Sequence, residues 1–242
     1  MTDSTTGSSS NNDAALKEEA NKPLHNKWVM WFDNPKTAKL GDSWMDNLQN
    51  TTGTFETPAQ FWAMYNNLKP ASKLSMGSNY HLFKEGIEPM WEDPQNQNGG
   101  KWVFTIFKKD PKIRRIDEWW LFTCLSLIGE TLDLHGDQVC GAVVSIRKQQ
   151  DRIALWLKTD DGELASQIGA RWKLAMSIPN SLKYQVHRDG KLSYSLWLFE
   201  HHATHYNSNL SSPYLILSSS YLCLFPAART GSSFRNDIVF EV

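Results

Sequence analysis

The chain has 242 residues, of which 40% are hydrophobic and 21% charged, a composition typical of one globular domain flanked by tails. Its formal net charge of −1 excludes a broad basic field, so any contact with nucleic acid is expected to be small and specific. The three cysteines are an odd number without CxxC spacing, which argues against a zinc site or a disulfide framework and favours a reducing compartment.

The N-terminal segment, residues 1–22, is rich in serine, threonine and asparagine. It lacks the apolar stretch of a signal peptide, and we predict a disordered tail with one helical turn in DAALKEEA. No run of about 18 or more apolar residues predicts a membrane-spanning helix in the chain.

Patterned sequence begins near Pro23. The segment TGTFETPAQFWAMYNNL predicts a helix, because Thr57 is a good N-cap, Pro58 takes the first helical position and Gln60 completes a capping box. The other predicted elements are helices at 115–130 and 161–178 and strands at 27–33, 79–86, 101–109, 140–148, 152–159, 182–189 and 237–242.

Strands in runs with three interspersed helices predict an α+β domain with one antiparallel sheet. The helices would pack on one face of the sheet and leave the other face open to a ligand. Strands 140–148 and 152–159 would form a hairpin, because only the short polar turn KQQD joins them. The tryptophans predicted to be structural are Trp28, Trp31, Trp102, Trp119 and Trp120.

Eleven tryptophans call for an explanation beyond the core, and EPMWEDPQNQNGGKW at 88–102 offers one. Trp91 is followed by Glu92 and Asp93 in a polar, glycine-containing segment, whereas core tryptophans have apolar neighbours. For these residues taken alone, a structural loop tryptophan remains the alternative to a ligand site. The chain has no GxSxG, P-loop, GxGxxG or HExxH motif, so we predict binding rather than catalysis.

The chemistry of such a pair suits a flat, charged ring. Two indole faces can sandwich a cationic ring, with about 0.5–2 kcal/mol of attraction per face. A carboxylate in the ring plane accepts two N–H donors, which guanine presents on its Watson–Crick edge and adenine does not. Arginine and lysine further along would hold phosphates. A methylated, positively charged guanine is therefore a candidate ligand, which the residues alone do not single out.

Six segments carry a resemblance to a known family: PLHNKWVMWF, QFWAMYNNL, YHLFKEGIEPMWED, NGGKW, LIGE and VCGAVVSIRKQQDRIALW. Their order and spacing resemble the cap-binding translation initiation factor family, initiation factor four-E, in the class with tryptophan at both stacking positions. The resemblance runs from about Pro23 to Pro179. It implies an α+β fold with a single curved antiparallel sheet, three helices on the convex face and the ligand on the concave face.

The resemblance implies how the base of the messenger-RNA cap would be held. Trp44 and Trp91 would stack on 7-methylguanine, and Trp156 would touch the N7 methyl group. Glu92 would accept the N1 and N2 donors, while the Trp91 backbone N–H would meet O6.

The resemblance also implies a phosphate site. Arg147 and Arg152 would hold the phosphates, assisted by Lys101 where the family often has arginine. Arg229 and Arg235 correspond only weakly to the family's basic residues near the phosphates. No cofactor and no metal are expected; HHATH at 201–205 has two histidines four residues apart but no glutamate between them.

A second implied surface binds partner proteins that offer a short helix with a tyrosine and a leucine–hydrophobic pair. The matching residues are Pro23, Trp62, Leu121 and Gly129. Phe122 stands where the family usually has an acid, and Pro58 replaces a branched apolar residue. Phe122 removes one expected salt bridge and makes the groove more apolar, and both departures are expected to change its affinity for partners.

The domain organisation follows the resemblance, with a tail at 1–22, a cap-binding domain at 23–189 and its last loop and strand at 229–242. Residues 190–228 look inserted relative to the family pattern, and a disordered insertion is predicted there. Both a lineage-specific insertion and a translated unspliced intron remain open. The transcript distinguishes the two, because only an intron would be absent from the mature message.

The resemblance implies a monomeric binding protein that holds the 7-methylguanosine cap of messenger RNA and recruits a scaffold protein to start translation. The alternative is a cap-binding repressor that competes with the initiation complex. A decapping hydrolase is disfavoured, because no acidic metal-binding cluster is present in the sequence. The family works in the cytoplasm, where initiation takes place, and also in the nucleus; no membrane association is expected.

Overall fold

The computed structural model describes residues 16–34, 47–109, 115–134, 136–178 and 181–187. Residues 16–20 are helical, within the segment predicted as a disordered tail and at the place of the predicted turn. Several predictions fall outside the described residues: Trp44, Cys223, Arg229, Arg235, the insertion at 190–228 and the strand at 237–242.

The described part of the domain contains strands and helices in the order that the sequence predicts, with one addition. The strands are β1 Trp28–Asp33, β2 Gln49–Phe55, β3 Asn79–Lys84, β4 Gly100–Phe107, β5 Val139–Ser145, β6 Gln150–Leu157 and β7 Lys183–Val186. The helices are α1 Pro58–Tyr65, α2 Ile116–Ile128 and α3 Gly162–Met176, with a 3₁₀ turn at Ala71–Lys73. Strand β2 was not predicted, because QNTTGTF is polar and contains a glycine.

The strands of the described residues form one sheet in the order β2-β1-β3-β5-β6-β4-β7. Every pairing is antiparallel. This confirms the predicted α+β class with a single curved antiparallel sheet. Strands β5 and β6 form the predicted hairpin.

One face of the sheet carries the main core, where all three helices pack. Alternate residues of each strand point to this face, so Trp102 and Phe104 of β4 lie against helical residues. The Trp102 indole N–H donates to the Ala165 carbonyl of α3 at 2.7 Å, and Gly169 lets that helix approach, since a Cβ there would lie 2.5 Å from the Trp102 ring. Trp28, Trp102, Trp119 and Trp120 are buried as predicted, whereas Trp31 is half-buried on the other face.

The ends of α1 and α3 follow their sequence signals. The Thr57 hydroxyl accepts from the Gln60 N–H at 3.2 Å, and the Gln60 side chain accepts from the Glu56 N–H at 2.8 Å, one residue before the position expected of a capping box. Asp161 caps α3 by accepting from the backbone N–H groups of Glu163 and Leu164. Local hydrogen bonds therefore define where these two helices begin.

The opposite face of the sheet holds a smaller apolar cluster made of Phe83, Ile87, Cys140, Val143 and Trp156. Charged residues share this face with the cluster, among them Lys101 and Arg152. None of the three helices packs on this cluster, so the face is where a ligand would be expected. No helix in the described ranges is long and apolar enough to cross a membrane.

Candidate functional site

The connection between β3 and β4, residues 85–99, is a loop held by two buried polar side chains. The Asp93 carboxylate accepts from the Glu88 N–H at 2.9 Å and from the Gln95 N–H at 2.7 Å. The Asn96 amide donates to the carbonyls of Glu88 and Met90, each at 2.8 Å. Asp93 is 8% exposed and Asn96 is fully buried. The loop therefore has a defined shape before any ligand arrives.

This loop presents Trp91 and Glu92 to solvent. Trp91 is 55% exposed, and the Glu92 side chain is exposed beside it. Among the described residues, neither the Trp91 backbone N–H nor the Glu92 carboxylate has a hydrogen-bond partner within the protein. An exposed indole, an acceptor carboxylate and a donor N–H therefore stand together on a scaffold that Asp93 and Asn96 support.

Trp156 lies on the ligand face of β6 and is 8% exposed. Its ring meets Phe83 edge-on, with centroids 5.6 Å apart, and lies 4.3 Å from the ring of His187. The Lys101 ammonium is 5.0 Å from the Trp156 ring centroid, because the two residues are paired across β4 and β6. This arrangement fixes the indole plane and places one cation next to it.

His187 is a site neighbour that sequence reasoning missed. Its Nδ1 is 2.9 Å from the Asn96 carbonyl oxygen, and its backbone N–H donates to Gly99 at 2.9 Å. The pKa of His187 is lowered to about 4. Burial is the main cause, the hydrogen bond with the Asn96 carbonyl opposes it, and the charge of Lys101 adds to it. The imidazole is thus neutral at neutral pH. The only signal in the sequence was a histidine near the end of the strand predicted at 182–189.

The glycine at the centre of the strand VCGAVV, Gly141, is required by close packing between β3 and β5. A Cβ at this position would lie 2.4 Å from the Leu82 carbonyl oxygen and 2.5 Å from the Phe83 ring. Gly141 is also the residue opposite Trp156 in the pairing of β5 with β6. The missing side chain lets Phe83 lie across β5 and reach the Trp156 ring.

The turn of the β5–β6 hairpin carries the two predicted arginines. Arg152 is exposed and faces the same side of β6 as Trp156, four residues away, a separation of about 13 Å along a strand. Arg147 is half-buried, and its backbone N–H donates to the Asp151 carboxylate at 2.9 Å. Burial is the main cause that lowers the pKa of Arg147, and the charge of Arg152 lowers it further. Both arginines thus lie near the turn end of the hairpin.

The structure thus brings the predicted residues it describes onto one face in a linear order. Trp91 and Glu92 lie on the loop that leads into β4. Lys101 lies at the start of β4 and Trp156 near the end of β6, while the two arginines lie at the other end of the β5–β6 hairpin, near its turn. An aromatic and carboxylate end followed by a cationic end suits a nucleotide with a chain of phosphates. Trp44 lies outside the described residues.

A second predicted surface lies on the helix side. Trp62 of α1 is 39% exposed and meets Tyr65 edge-on, with centroids 6.1 Å apart. Burial is the main cause that raises the pKa of Tyr65. Leu121 and Phe122 are half-buried on α2. Trp62 of α1 and Leu121 and Phe122 of α2 are thus partly exposed apolar side chains on the helix side of the sheet, and they are called the helical surface below.

The flanks of this helical surface are pinned by hydrogen bonds. Pro23 is exposed, and the next residue, Leu24, donates its N–H to the Glu56 carbonyl at 2.7 Å, just before α1. Gly129 is the exposed C-cap of α2. The four residues predicted for partner binding are thus distributed over the N-terminal segment, α1 and α2.

Comparison with known sequences gives a match to the family described as Eukaryotic initiation factor 4E, over residues 23–209. The chain is similar to eukaryotic translation initiation factor 4E-1 of Arabidopsis thaliana, with 45% identity over 170 residues, 70% of this chain and 69% of the relative. It is also similar to the barley protein of the same name, with 42% identity over 181 residues, 74% of this chain and 81% of the relative.

Solved structures give the same result. The fold resembles Caenorhabditis elegans eIF4E-3 in complex with the 4E-binding protein Mextli and a cap analog, with a TM-score of 0.62 and 37% identity over 69% of this chain and 93% of that one. It also resembles Ascaris suum eIF4E-3 in complex with an m2,2,7G cap, with a TM-score of 0.64 and 35% identity over 70% of this chain and 93% of that one.

Proposed function

Since the chain belongs to the eukaryotic initiation factor 4E family, we propose that it binds the 7-methylguanosine cap of messenger RNA and recruits a scaffold protein to start translation. The observation that carries this proposal is the Trp91–Glu92 pair, exposed on a loop that buried Asp93 and Asn96 hold in shape. The solved relatives from worms are complexes with cap compounds, which agrees with the ligand proposed for this face.

In the proposed complex, Trp91 and Trp44 stack on the two faces of 7-methylguanine. Methylation at N7 leaves a positive charge on the ring, so the attraction to each indole is stronger than for guanine. Glu92 accepts from N1 and N2, and the Trp91 backbone N–H donates to O6. Trp156 contacts the methyl group from the sheet. A neutral His187 beside Trp156 adds no positive charge near a cationic base.

The phosphates extend from the base towards the hairpin turn. Arg152 and Arg147 bind them through charge-assisted hydrogen bonds, and Lys101 assists near the base. Because these cations lie at intervals along β4 and β6, each added phosphate should reach a further positive charge. Affinity is therefore expected to grow from the monophosphate to the triphosphate.

The helical surface is the proposed partner site. Pro23, Trp62, Leu121 and Gly129 would receive a short helix that carries a tyrosine and a leucine–hydrophobic pair. A worm relative is solved with the 4E-binding protein Mextli. Here Phe122 makes the centre of the surface apolar, so a partner with an apolar residue opposite it is expected to bind best.

The protein is proposed to act as a monomeric binding protein and not as an enzyme. Its two surfaces lie on opposite sides of one sheet, so cap and partner would bind together without competing for space. The proposed location is the cytoplasm, where initiation takes place, and the nucleus is the second proposed location.

The test is a titration of intrinsic tryptophan fluorescence with 7-methyl-GTP, with GTP as the control ligand. The wild-type chain should be quenched at much lower concentrations of the methylated nucleotide, because stacking on a cationic ring is stronger. Glu92→Gln places an amide N–H against the guanine N–H donors and should weaken binding by roughly 10–100-fold. Glu88→Gln, in the same loop, is the matched control and should bind normally.

Two outcomes would contradict the proposal. Equal affinity of the wild-type chain for 7-methyl-GTP and GTP would exclude cap recognition. Normal affinity of Glu92→Gln would show that the base is read elsewhere. Recruitment is tested separately with a helical peptide carrying the tyrosine–leucine motif, whose failure to bind would leave a cap-binding protein without the recruiting function.

A further inference from the structure

The ligand face contains a chain of buried polar side chains that the proposed cap contacts do not include. Asp33, Asn79 and His81 are 1%, 6% and 4% exposed, and all lie on the face of the sheet that carries Trp156. Burial of polar groups costs free energy unless they are hydrogen-bonded. Three buried polar side chains joined by hydrogen bonds at this place therefore call for a role.

The register of three strands explains how these residues meet. Asp33 of β1 is directly opposite Asn79 of β3, and Asn79 is directly opposite Ser145 of β5. His81 lies two residues beyond Asn79 and so points to the same face. Arg147 follows Ser145 by two residues. A continuous path of side chains thus runs across the sheet from β1 to the proposed phosphate site.

The hydrogen bonds follow that path. The Asn79 Oδ1 accepts from Arg147 Nη2 at 2.8 Å. The Asn79 Nδ2 donates to both carboxylate oxygens of Asp33, each at 2.9 Å. His81 Nε2 lies 2.5 Å from Asp33 Oδ1. Asn79 therefore bridges a cation and an anion.

The chemistry of the bridge sets the orientation of the amide. A guanidinium group only donates and an ionised carboxylate only accepts, so the residue between them must accept on one side and donate on the other. Asn79 does this in one orientation alone, because a flipped amide would oppose donor to donor and acceptor to acceptor. By the same logic His81 must donate from Nε2. The whole set has a single consistent arrangement.

The two terminal nitrogens of the Arg147 guanidinium have different partners, which are backbone carbonyls for one and this network for the other. Its Nη1 lies 3.0 Å from the Ile146 carbonyl oxygen and 3.2 Å from that of Gly77, while Nη2 is bound by Asn79. Of the five guanidinium N–H groups, the Nε–H and the second Nη2–H find no acceptor among the residues that the structure describes. These groups remain to bind an anion.

We infer that Asp33, Asn79 and His81 are positioning residues that orient the Arg147 guanidinium towards the phosphates of the ligand. The inference rests on the proposed function, since it names what sets the phosphate affinity of the same site. A guanidinium locked in one orientation loses little rotational freedom on binding. The Asp33 charge also offsets the cost of holding Arg147 partly buried.

The test compares the affinities for 7-methyl-GTP and 7-methyl-GMP, because their ratio isolates the contribution of the outer phosphates. Asn79→Leu removes the bridge at similar volume and should reduce this ratio about 3–10-fold. Asp33→Asn keeps the shape, so it serves where the first variant folds poorly, and should reduce the ratio about 2–3-fold. The preference for 7-methyl-GTP over GTP should change less than about twofold in both.

Val144→Ala is the matched control for general destabilisation of the sheet. Val144 is buried on the helix face of β5, so this variant should lower stability without changing the phosphate ratio. Arg147→Gln should lower the ratio by itself, and adding Asn79→Leu to it should have little further effect, because both act through one guanidinium.

The outcomes separate this inference from the proposed function. An unchanged phosphate ratio in Asn79→Leu and Asp33→Asn, or additive effects in the double variant, would overturn the positioning role. The same loss of ratio in Val144→Ala would overturn it as well. A wild-type chain with no preference for 7-methyl-GTP over GTP would overturn the proposed function itself.

Discussion

His187 should make the stability of the domain depend on pH in the mildly acidic range. The ring is packed on Trp156 at a centroid distance of 4.3 Å, and its Nε2 is buried without a hydrogen-bond partner among the described residues. Burial is the main cause that lowers its pKa from 6.5 to about 4. Protonation in the folded state would place an unpaired charge there.

Acidification lowers the stability of the folded state, because His187 has a lower pKa in the folded chain than in the unfolded chain. As the pH falls through 6.5, the unfolded chain takes up a proton on this histidine, whereas the folded chain does so only near pH 4. The free energy of unfolding contributed by His187 is therefore fully present above about pH 6.5 and is lost on acidification between about 6.5 and 4. The total loss is about 3 kcal/mol, of which about 1.3 kcal/mol falls between about pH 7.5 and 5.5.

The assay is urea unfolding followed by fluorescence at about pH 7.5 and 5.5. The wild-type chain should lose about 1.3 kcal/mol more than His187→Gln over this interval, because glutamine does not titrate. His25→Gln is the matched control, since His25 is exposed and makes no contact with Trp156 or His187 in the ring pairs of the site. Equal pH dependence in wild type and His187→Gln would refute the reasoning.

Three further predictions concern packing, partner binding and the phosphates. Gly141→Ala should destabilise the domain by about 1–3 kcal/mol, because its Cβ would lie 2.4 Å from the Leu82 carbonyl oxygen; an unchanged urea midpoint would contradict the close approach. Trp62→Ala should weaken binding of a tyrosine–leucine peptide by at least tenfold in calorimetry and leave 7-methyl-GTP binding unchanged, since the two surfaces lie on opposite faces; a loss of both would contradict that separation. Arg152→Gln should weaken 7-methyl-GTP binding more than 7-methylguanosine binding and flatten its salt dependence; equal effects on both ligands would place Arg152 away from the phosphates.

The order of the elements could be read from the chain because each has a local cause. Thr57 and Pro58 start α1, the apolar run from Ile116 builds α2, and alternation in β4 to β6 defines two faces. Strand β2 was not predicted, since its polar residues and glycine show no alternation of hydrophobic and polar side chains. Its hydrogen bonds to β1 come from tertiary pairing and leave no local signal.

The chain by itself also predicted which residues of the ligand face would carry the chemistry, and for Trp91 and Glu92 this prediction depended on the family resemblance, because the pair alone is equally compatible with a structural loop tryptophan. Only the tertiary structure decided what supports them. Asn96 holds the loop, and its carbonyl oxygen contacts the ring of His187, which is 91 residues away in the sequence. Asn79 joins Asp33 to Arg147 across the sheet. Such contacts depend on strand register and burial, which are properties of the assembled sheet. A polar side chain has the same appearance in the sequence whether it meets water or a buried partner.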